Sequence, residues 1–242
     1  MLRKILLMSA IFCIISAVSG QNLQLHFDPR NSLYGDEISD VNYLTATFEF
    51  YKPDKWGNTF MFVDFDFSFN KGNSGLIYGE ISREFKIRDF PLLPHIEYNG
   101  GLGLIRGTDG GFSIPGAYLA GFGYPFNLGG FFMNTYLAYK LNAFEQISND
   151  AQWTVTLNAS LANNKISLSG FMDLWTEDKS FTEGSEAKGK KIVFLSEPQI
   201  WYNITPNLSF GSEVELSYNF VNKFNESKFY IIPTLATKWI FQ

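Results

Sequence analysis

The stretch TFMFVDFDFSF, residues 59–69, sets Phe60, Phe62, Phe65, Phe67 and Phe69 around Asp64 and Asp66, with Val63 between them. A soluble core rejects unpaired carboxylates, and a soluble surface rejects so many large aromatic rings. On a strand, successive side chains point to opposite faces. Met61, Val63, Phe65, Phe67 and Phe69 then share one face, and Phe60, Phe62, Asp64, Asp66 and Ser68 share the other. A helical period mixes the aspartates with the aromatics and fits worse.

The same alternation runs through most of the chain. In QWTVTLNASL, Trp153, Val155, Leu157, Ala159 and Leu161 oppose Gln152, Thr154, Thr156, Asn158 and Ser160. In LSFGSEVELSYNF, Leu208, Phe210, Val214, Leu216, Tyr218 and Phe220 oppose Ser209, Gly211, Glu213, Glu215, Ser217 and Asn219. About twelve such runs are read, near 23–29, 41–51, 59–69, 76–87, 95–105, 113–125, 131–140, 151–162, 165–175, 192–202, 208–220 and 229–241. Most have ten or more residues, the length of a transmembrane strand (~9–11) and above the ~5–6 of an ordinary one. Aromatics make up 17% of the chain, with 25 Phe and 12 Tyr, while hydrophobic residues reach only 45%. A chain that alternates apolar and polar positions has this composition. The net charge of -5 argues against a general nucleic-acid binder.

Connections after even-numbered runs are mostly compact: KPDKWGN, FNLGG, the pair Asn163 and Asn164, and NITPN. Those after odd-numbered runs, RNSLYGDEISD, LNAFEQISND and TEDKSFTEGSEAKGKK, are longer and more polar. KGNSG is short for its end and IRDFPLLP is long for a turn. Short turns at one end and long loops at the other belong to outer-membrane barrels. A closed sheet satisfies its backbone without water, as lipid requires. The expected fold is therefore all-β: a closed antiparallel transmembrane barrel of about twelve strands, both termini on the periplasmic side of a Gram-negative outer membrane. Three residues strain this reading. Arg83 falls on the apolar register, so it must sit near a rim or beside a bulge. Pro198 and Pro233 fall inside strands and remove ladder donors, which bulges would explain. At the other end, Trp239 and Phe241 alternate close to the terminus, as signals for the barrel-assembly machinery do.

The N-terminus reads as a signal peptide over 1–20. Arg3 and Lys4 precede an apolar run shorter than the ~20 residues of a spanning helix, and Ala17, Ser19 and Gly20 follow. Residues 21–242 then form one barrel domain. The single cysteine, Cys13, falls in the removed segment, so neither disulfides nor thiol chemistry is expected.

The segment LQLHFDPRNSLYGDEISDVNYLTATFEFYKPDKWGNTFMFVDFDF, residues 23–67, resembles the start of the Tsx-type nucleoside-specific channel-forming proteins. The shared layout is a first strand, an Asp-containing loop, the YLTATFEF strand, a lysine-and-tryptophan turn, and an aromatic-and-aspartate strand. A little-characterised allied group of outer-membrane barrels is similar too. That family tends to place an acidic residue soon after YL, where this chain has Thr45, with Glu49 later. The resemblance implies a monomeric twelve-stranded barrel with a narrow lumen that passes nucleosides.

Parity assigns the lumen. Its acids are Asp28, Glu49, Asp64, Asp66, Glu80, Glu84, Glu97, Asp173, Glu197, Glu213 and Glu215, and its bases are Lys86, Lys140, Lys165 and Lys238. Its aromatics include Tyr43, Tyr51, Phe60, Phe62, Tyr78, Phe171, Trp175, Trp201 and Tyr230. Solute contacts are expected from Asp28, Tyr43, Glu49, Phe60, Phe62, Asp64, Asp66, Tyr78, Glu80, Glu97, Phe171, Asp173, Trp175, Trp201, Glu213 and Glu215. The expected role is passive diffusion of small polar solutes, nucleosides foremost, with lipid and solute as partners and no catalysis, cofactor or metal. The alternatives are an outer-membrane enzyme and a soluble secreted glycan-binding β-sandwich. A Ser-His hydrolase needs a histidine base. The two histidines, His26 and His95, fall on lumen faces rather than facing lipid. No ligand spacing suggests Ca²⁺ or Zn²⁺. GGLGLIRGTDGG lacks the Lys-Ser/Thr and helix of a phosphate loop.

Overall fold

A computed structural model describes residues 20–143, 147–179, 189–221 and 227–241. The signal-peptide reading, Cys13 and much of two long loops lie outside these residues. Fourteen strand segments form one antiparallel sheet: β1 (Gln21–Asp28), β2 (Tyr43–Asp54), β3 (Gly57–Asp66), β4 (Leu76–Phe85), β5 (Leu93–Leu104), β6 (Gly111–Leu128), β7 (Phe131–Asn142), β8 (Ser148–Leu161), β9 (Ile166–Asp178), β10 (Lys190–Ser196), β11 (Gln199–Asn203), β12 (Leu208–Tyr218), β13 (Phe229–Pro233) and β14 (Leu235–Ile240). Segments β10 and β11 pair the same two neighbours, β9 and β12, in one continuous register. Likewise β13 and β14 pair β12 in one register. Each pair is a single strand, so the wall has twelve. Pairing of β14 with both β1 and β12 closes the sheet into a barrel.

Closure leaves no full-length sheet edge, so over most of the wall the two faces alone must choose their surroundings. The outside carries exposed Leu25 and Phe27 on β1, Phe65 on β3, Ile77 and Ile81 on β4, Phe122 on β6, Ile200 and Tyr202 on β11 and Trp239 on β14. The polar side chains between them turn inward and are largely buried, Gln24, His26 and Asp28 on β1 among them. The chain begins β1 beside the end of β14, with Asn22 opposite Ile240. Both described ends thus lie on the short-turn rim. No helix among the described residues is long and apolar enough to cross a membrane.

The two prolines need no bulge. Thr234 N–H donates to the Glu213 carbonyl, so Thr234 faces β12 and Pro233, its neighbour, faces the β1 side. There β1 has already ended at Asp28, and no ladder bond is lost. Pro198 sits mid-wall opposite Val214 and still accepts from the Val214 N–H at 3.0 Å, so it forgoes one donor only. The described register shift lies elsewhere, between Asn99 and Gly101 where β5 meets β6. Arg83 resolves in favour of the rim. It forks onto Asp54 at 2.8 and 2.9 Å, where β2 ends at the first short turn. The strand from the opening stretch ends at Asp66, and Phe69 belongs to the following turn.

One long connection has structure of its own. Helix α1 (Arg30–Tyr34) and a 3₁₀ turn (Gly35–Glu37) follow β1. Segment β13 rises above the end of β1, which leaves Ile231 with an unpaired backbone edge. The Tyr34 hydroxyl covers it, accepting from Ile231 N–H and donating to Ile231 C=O, both at 3.0 Å. Glu37 adds bonds to Lys228 and Tyr230.

The first short turn depends on Gly57, whose φ is +143° and where a Cβ would lie 1.9 Å from the Glu84 carbonyl oxygen. Gly57→Ala combines a disfavoured backbone angle with a backbone clash, and a loss of at least about 2 kcal/mol is expected. A lower urea midpoint for unfolding from lipid vesicles checks this; an unchanged midpoint contradicts it.

Candidate functional site: an acidic and aromatic lumen

The lumen is built by the inward half of each strand's residues, and its two sides differ. Along β5–β8, Glu97, Leu119, Tyr136, Ala138, Lys140 and Gln152 are buried, filling that side with side chains. Along β1, β11, β12 and β14, Gln24, His26, Trp201, Ser209 and Ala236 fill another. Partial exposure survives between them. Glu49, Phe60, Phe62, Asp64, Asp66, Tyr78 and Glu80 line it from β2–β4, and Phe171, Asp173, Glu197 and Glu213 from the facing wall. The open part of the lumen is therefore an off-centre slot.

Cross-strand register positions its carboxylates. Thr45 stands opposite Asp66 and Thr47 opposite Asp64. Each threonine hydroxyl donates to its partner, at 2.6 and 2.5 Å. Across the slot, Asp173 accepts from Thr154 at 2.5 Å; on the same wall as Asp64, Glu80 accepts from the Tyr78 hydroxyl at 2.7 Å. Glu213 accepts from Gln199 at 2.6 Å. Glu197 lies within electrostatic range of Asp64, Asp173 and Glu213, so three strand systems converge on one acidic centre. Ring contacts Phe60–Phe62 (6.1 Å between centroids) and Phe62–Tyr78 (6.0 Å) make an aromatic ladder alongside.

The lumenal cations make their close contacts elsewhere, while Arg30 and Lys140 stay within electrostatic range of Asp66 and of Glu80 and Asp173 respectively. Arg30 reaches in from α1 to Asp28 (2.6 Å) and Glu215 (3.4 Å) and lies over the Tyr43 ring. Lys140 donates to Gln152 at 3.0 Å and sits over Trp175. Lys238 sits 4.0 Å over the Trp201 ring. Among the described residues no ion pair joins Asp64, Asp66, Glu80 or Asp173 to a base.

All sixteen expected contact residues project inward. Tyr43, Glu49, Phe60, Phe62, Asp64, Asp66, Tyr78, Glu80, Phe171, Asp173 and Glu213 retain exposure, whereas Asp28, Glu97, Trp175, Trp201 and Glu215 are buried in the filled sides. Two expected bases are not in the lumen proper. Lys165 is exposed in the turn before β9, and Lys86 lies just past β4 at the short-turn mouth, as does Tyr51. The apolar inward residues Leu119, Tyr136, Val193, Leu195 and Ile232 escaped the parity rule, which sent apolar side chains outward. Their inward alternation with Lys140, Lys191 and Tyr230 is the signal that finds them.

The histidines are held by the wall. His26 Nδ1 is 3.1 Å from the Thr234 hydroxyl and Nε2 is 3.0 Å from Gln24. That hydroxyl is itself tied to the Glu213 backbone, at 3.2 Å to both N–H and C=O. His95 stacks on Tyr136 at 3.9 Å between Glu84 and Glu97. Neither faces a free hydroxyl nucleophile in the manner of a hydrolase. Among the described residues no group of three His, Cys, Asp or Glu side chains could hold a metal ion.

A twelve-stranded closed antiparallel wall, apolar without and polar within, defines an outer-membrane-type β-barrel. The chain belongs to the family described as a domain of unknown function, DUF5020, whose model matches residues 20–241. No curated protein matches it in sequence. The NanC porin superposes with a TM-score of 0.54 at 11% identity, covering 91% of this chain and 98% of the porin. LpxR from Salmonella typhimurium gives 0.44 at 10% identity, covering 92% and 100%. The β domain of the Bordetella autotransporter BrkA gives 0.43 at 9%, covering 93% and 100%. At such identities the likeness is one of fold. The Tsx-type family found by resemblance is not among these matches.

Proposed function

We propose that this chain is a monomeric Gram-negative outer-membrane channel, termini periplasmic, for passive diffusion of small polar ring-bearing solutes, nucleosides foremost. The observation that carries the reading is the half-exposed slot, where unpaired carboxylates alternate with an aromatic ladder across β2–β4. The NanC porin, which has the same fold over nearly its whole length, supports a channel role. Lipid surrounds the wall, and the alternating Trp239 and Phe241 near the C-terminus suit recognition by the barrel-assembly machinery.

The slot's chemistry selects by charge and shape. Phosphates meet an excess of carboxylates over bases and are repelled. A base laid on an aromatic face gains ~1–3 kcal/mol. A ribose hydroxyl donating to a carboxylate gains ~1.5–3 kcal/mol. After the cost of immobilising the solute, about 4 kcal/mol remains, a millimolar affinity. Weak sites suit flux, because the solute must also leave. An enzyme would need an activated nucleophile or bound metal, and the histidine environments favour neither.

In planar bilayers, adenosine is expected to lower the single-channel conductance at millimolar concentration, and AMP to lower it less. Equal block by both rejects the nucleoside reading and leaves the barrel standing.

A further inference from the structure

The segment IRDFPLLP, too long for a simple turn, finds its use at the short-turn mouth. Together with the first turn it walls a cavity of about 350 Å³. That volume lies at the small end of ligand pockets, roughly 300–1,000 Å³, and suits one ring-bearing molecule. Tyr51 and Phe90 supply aromatic surface, and Pro91 and Pro125 supply apolar surface with little conformational freedom to lose. The polar lining is Asp54, Asn58 and Lys86. Asp54 is consumed by the Arg83 fork and the Trp56 N–H. Asn58 Nδ2 is fixed by Glu84 at 2.9 Å, which leaves its carbonyl oxygen to accept. Lys86 is exposed and has no side-chain partner, so its ammonium is free to donate. Glu84 in turn holds Asn134 at 2.8 Å, so the cavity floor is anchored in a buried network.

We propose that this cavity is a second solute site, a vestibule that binds a neutral hydroxylated ring against Tyr51 with Lys86 donating to, and Asn58 accepting from, its hydroxyls. The proposal deepens the channel reading and rests on it for the class of solute. A donor, an acceptor and an aromatic face around rigid apolar walls are what a sugar or a nucleoside ribose shares. The vestibule lies on the path between the slot and the short-turn side. A solute held there is separated from the acidic centre by the run of β3 from Asn58 to Asp64, roughly 20 Å at ~3.3 Å per residue.

The test places a nitroxide on Arg88→Cys, beside the mouth, in a chain carrying Cys13→Ser and purified in micelles. Arg88 is 94% exposed at its side chain, so the label disturbs little. Adenosine and glucose are the probes, and broadening of their proton signals reports residence at the mouth. Both are expected to broaden; adenosine alone would assign the site to nucleosides, and neither would overturn it. Tyr51→Leu is expected to weaken the effect about ten-fold, the size of one lost stacking contact. Lys86→Met should weaken it by several-fold, while Asp64→Asn with Asp66→Asn should leave it. Heat-modifiability on a gel confirms that each variant is folded. Broadening untouched by Tyr51→Leu and Lys86→Met overturns the vestibule. Broadening lost only in the double aspartate variant also overturns it but leaves the slot reading. Loss in the vestibule variants without any conductance block by adenosine keeps the vestibule and rejects the nucleoside reading of the slot.

Discussion

Val63→Arg is expected to be among the most damaging single substitutions in the wall, and Phe62→Arg, its immediate neighbour, to be tolerated. Val63 lies mid-strand on β3, opposite Phe48 and Gly79, on the outward face with Phe65 and Ile81. An arginine pointing into hydrocarbon at that depth costs about 2–4 kcal/mol, falling to about 0–1 near the interface. The native Arg83 sits at the cheap position, at the rim and bound to Asp54. Phe62 faces the slot and packs beside Tyr78 on the neighbouring strand. An arginine there loses one aromatic contact but gains water and nearby carboxylates. Urea unfolding from vesicles should show a midpoint shift for Val63→Arg several times that for Phe62→Arg. Equal shifts, or the reverse order, place the faces wrongly.

Replacing Asp64 and Asp66 together with Asn is expected to remove much of the channel's preference for cations. Both carboxylates face the slot and are held by neutral threonine hydroxyls; neither forms an ion pair, although Arg30 lies within electrostatic range of Asp66. In the narrow, partly dry slot their field is screened far less than at a surface. Asn keeps the size and accepts the same hydroxyl hydrogen bonds through its carbonyl oxygen, so the fold should survive. Reversal potentials in a salt gradient read the effect. A clear shift toward zero is expected; an unchanged potential means that ions do not pass these residues. Glu197 and Glu213 remain in the double variant, so some preference should persist.

The twelve strands were legible in the sequence because their side chains have a period of two and the wall has two solvents. Residues 151–162 and 208–220, read by alternation, correspond to β8 (Ser148–Leu161) and β12 (Leu208–Tyr218). The long loops and the histidines' inward placement were legible on the same ground. Pro198 and Pro233 misled the reading toward bulges, because the sequence does not say which side of a strand a missing N–H faces. Pro233 faces a place where the neighbour has ended, a fact of three-dimensional register. The slot's off-centre position was not legible either. Polarity separates inside from outside, but it does not distinguish a packed interior from a wet one. Val193 and Leu195 point inward because they pack with Trp175, and apolar parity alone sends them to lipid. Lys86 was read as lumenal on strand parity, but β4 ends one residue earlier, at Phe85. The work of IRDFPLLP could not be seen without its partners Tyr51, Asn58 and Pro125, which are distant in sequence.

The claim on which all this depends is that neighbouring residues of one strand meet different solvents. Single cysteines at positions 60–66, introduced into the protein carrying Cys13→Ser and reconstituted in vesicles, test it directly. Each is labelled with a nitroxide, and relaxation by oxygen, which concentrates in hydrocarbon, is compared with relaxation by a water-soluble nickel chelate. Labels at 61, 63 and 65 should respond to oxygen, and those at 60, 62, 64 and 66 to the chelate or to neither. Relaxation that fails to alternate with a period of two would contradict the barrel.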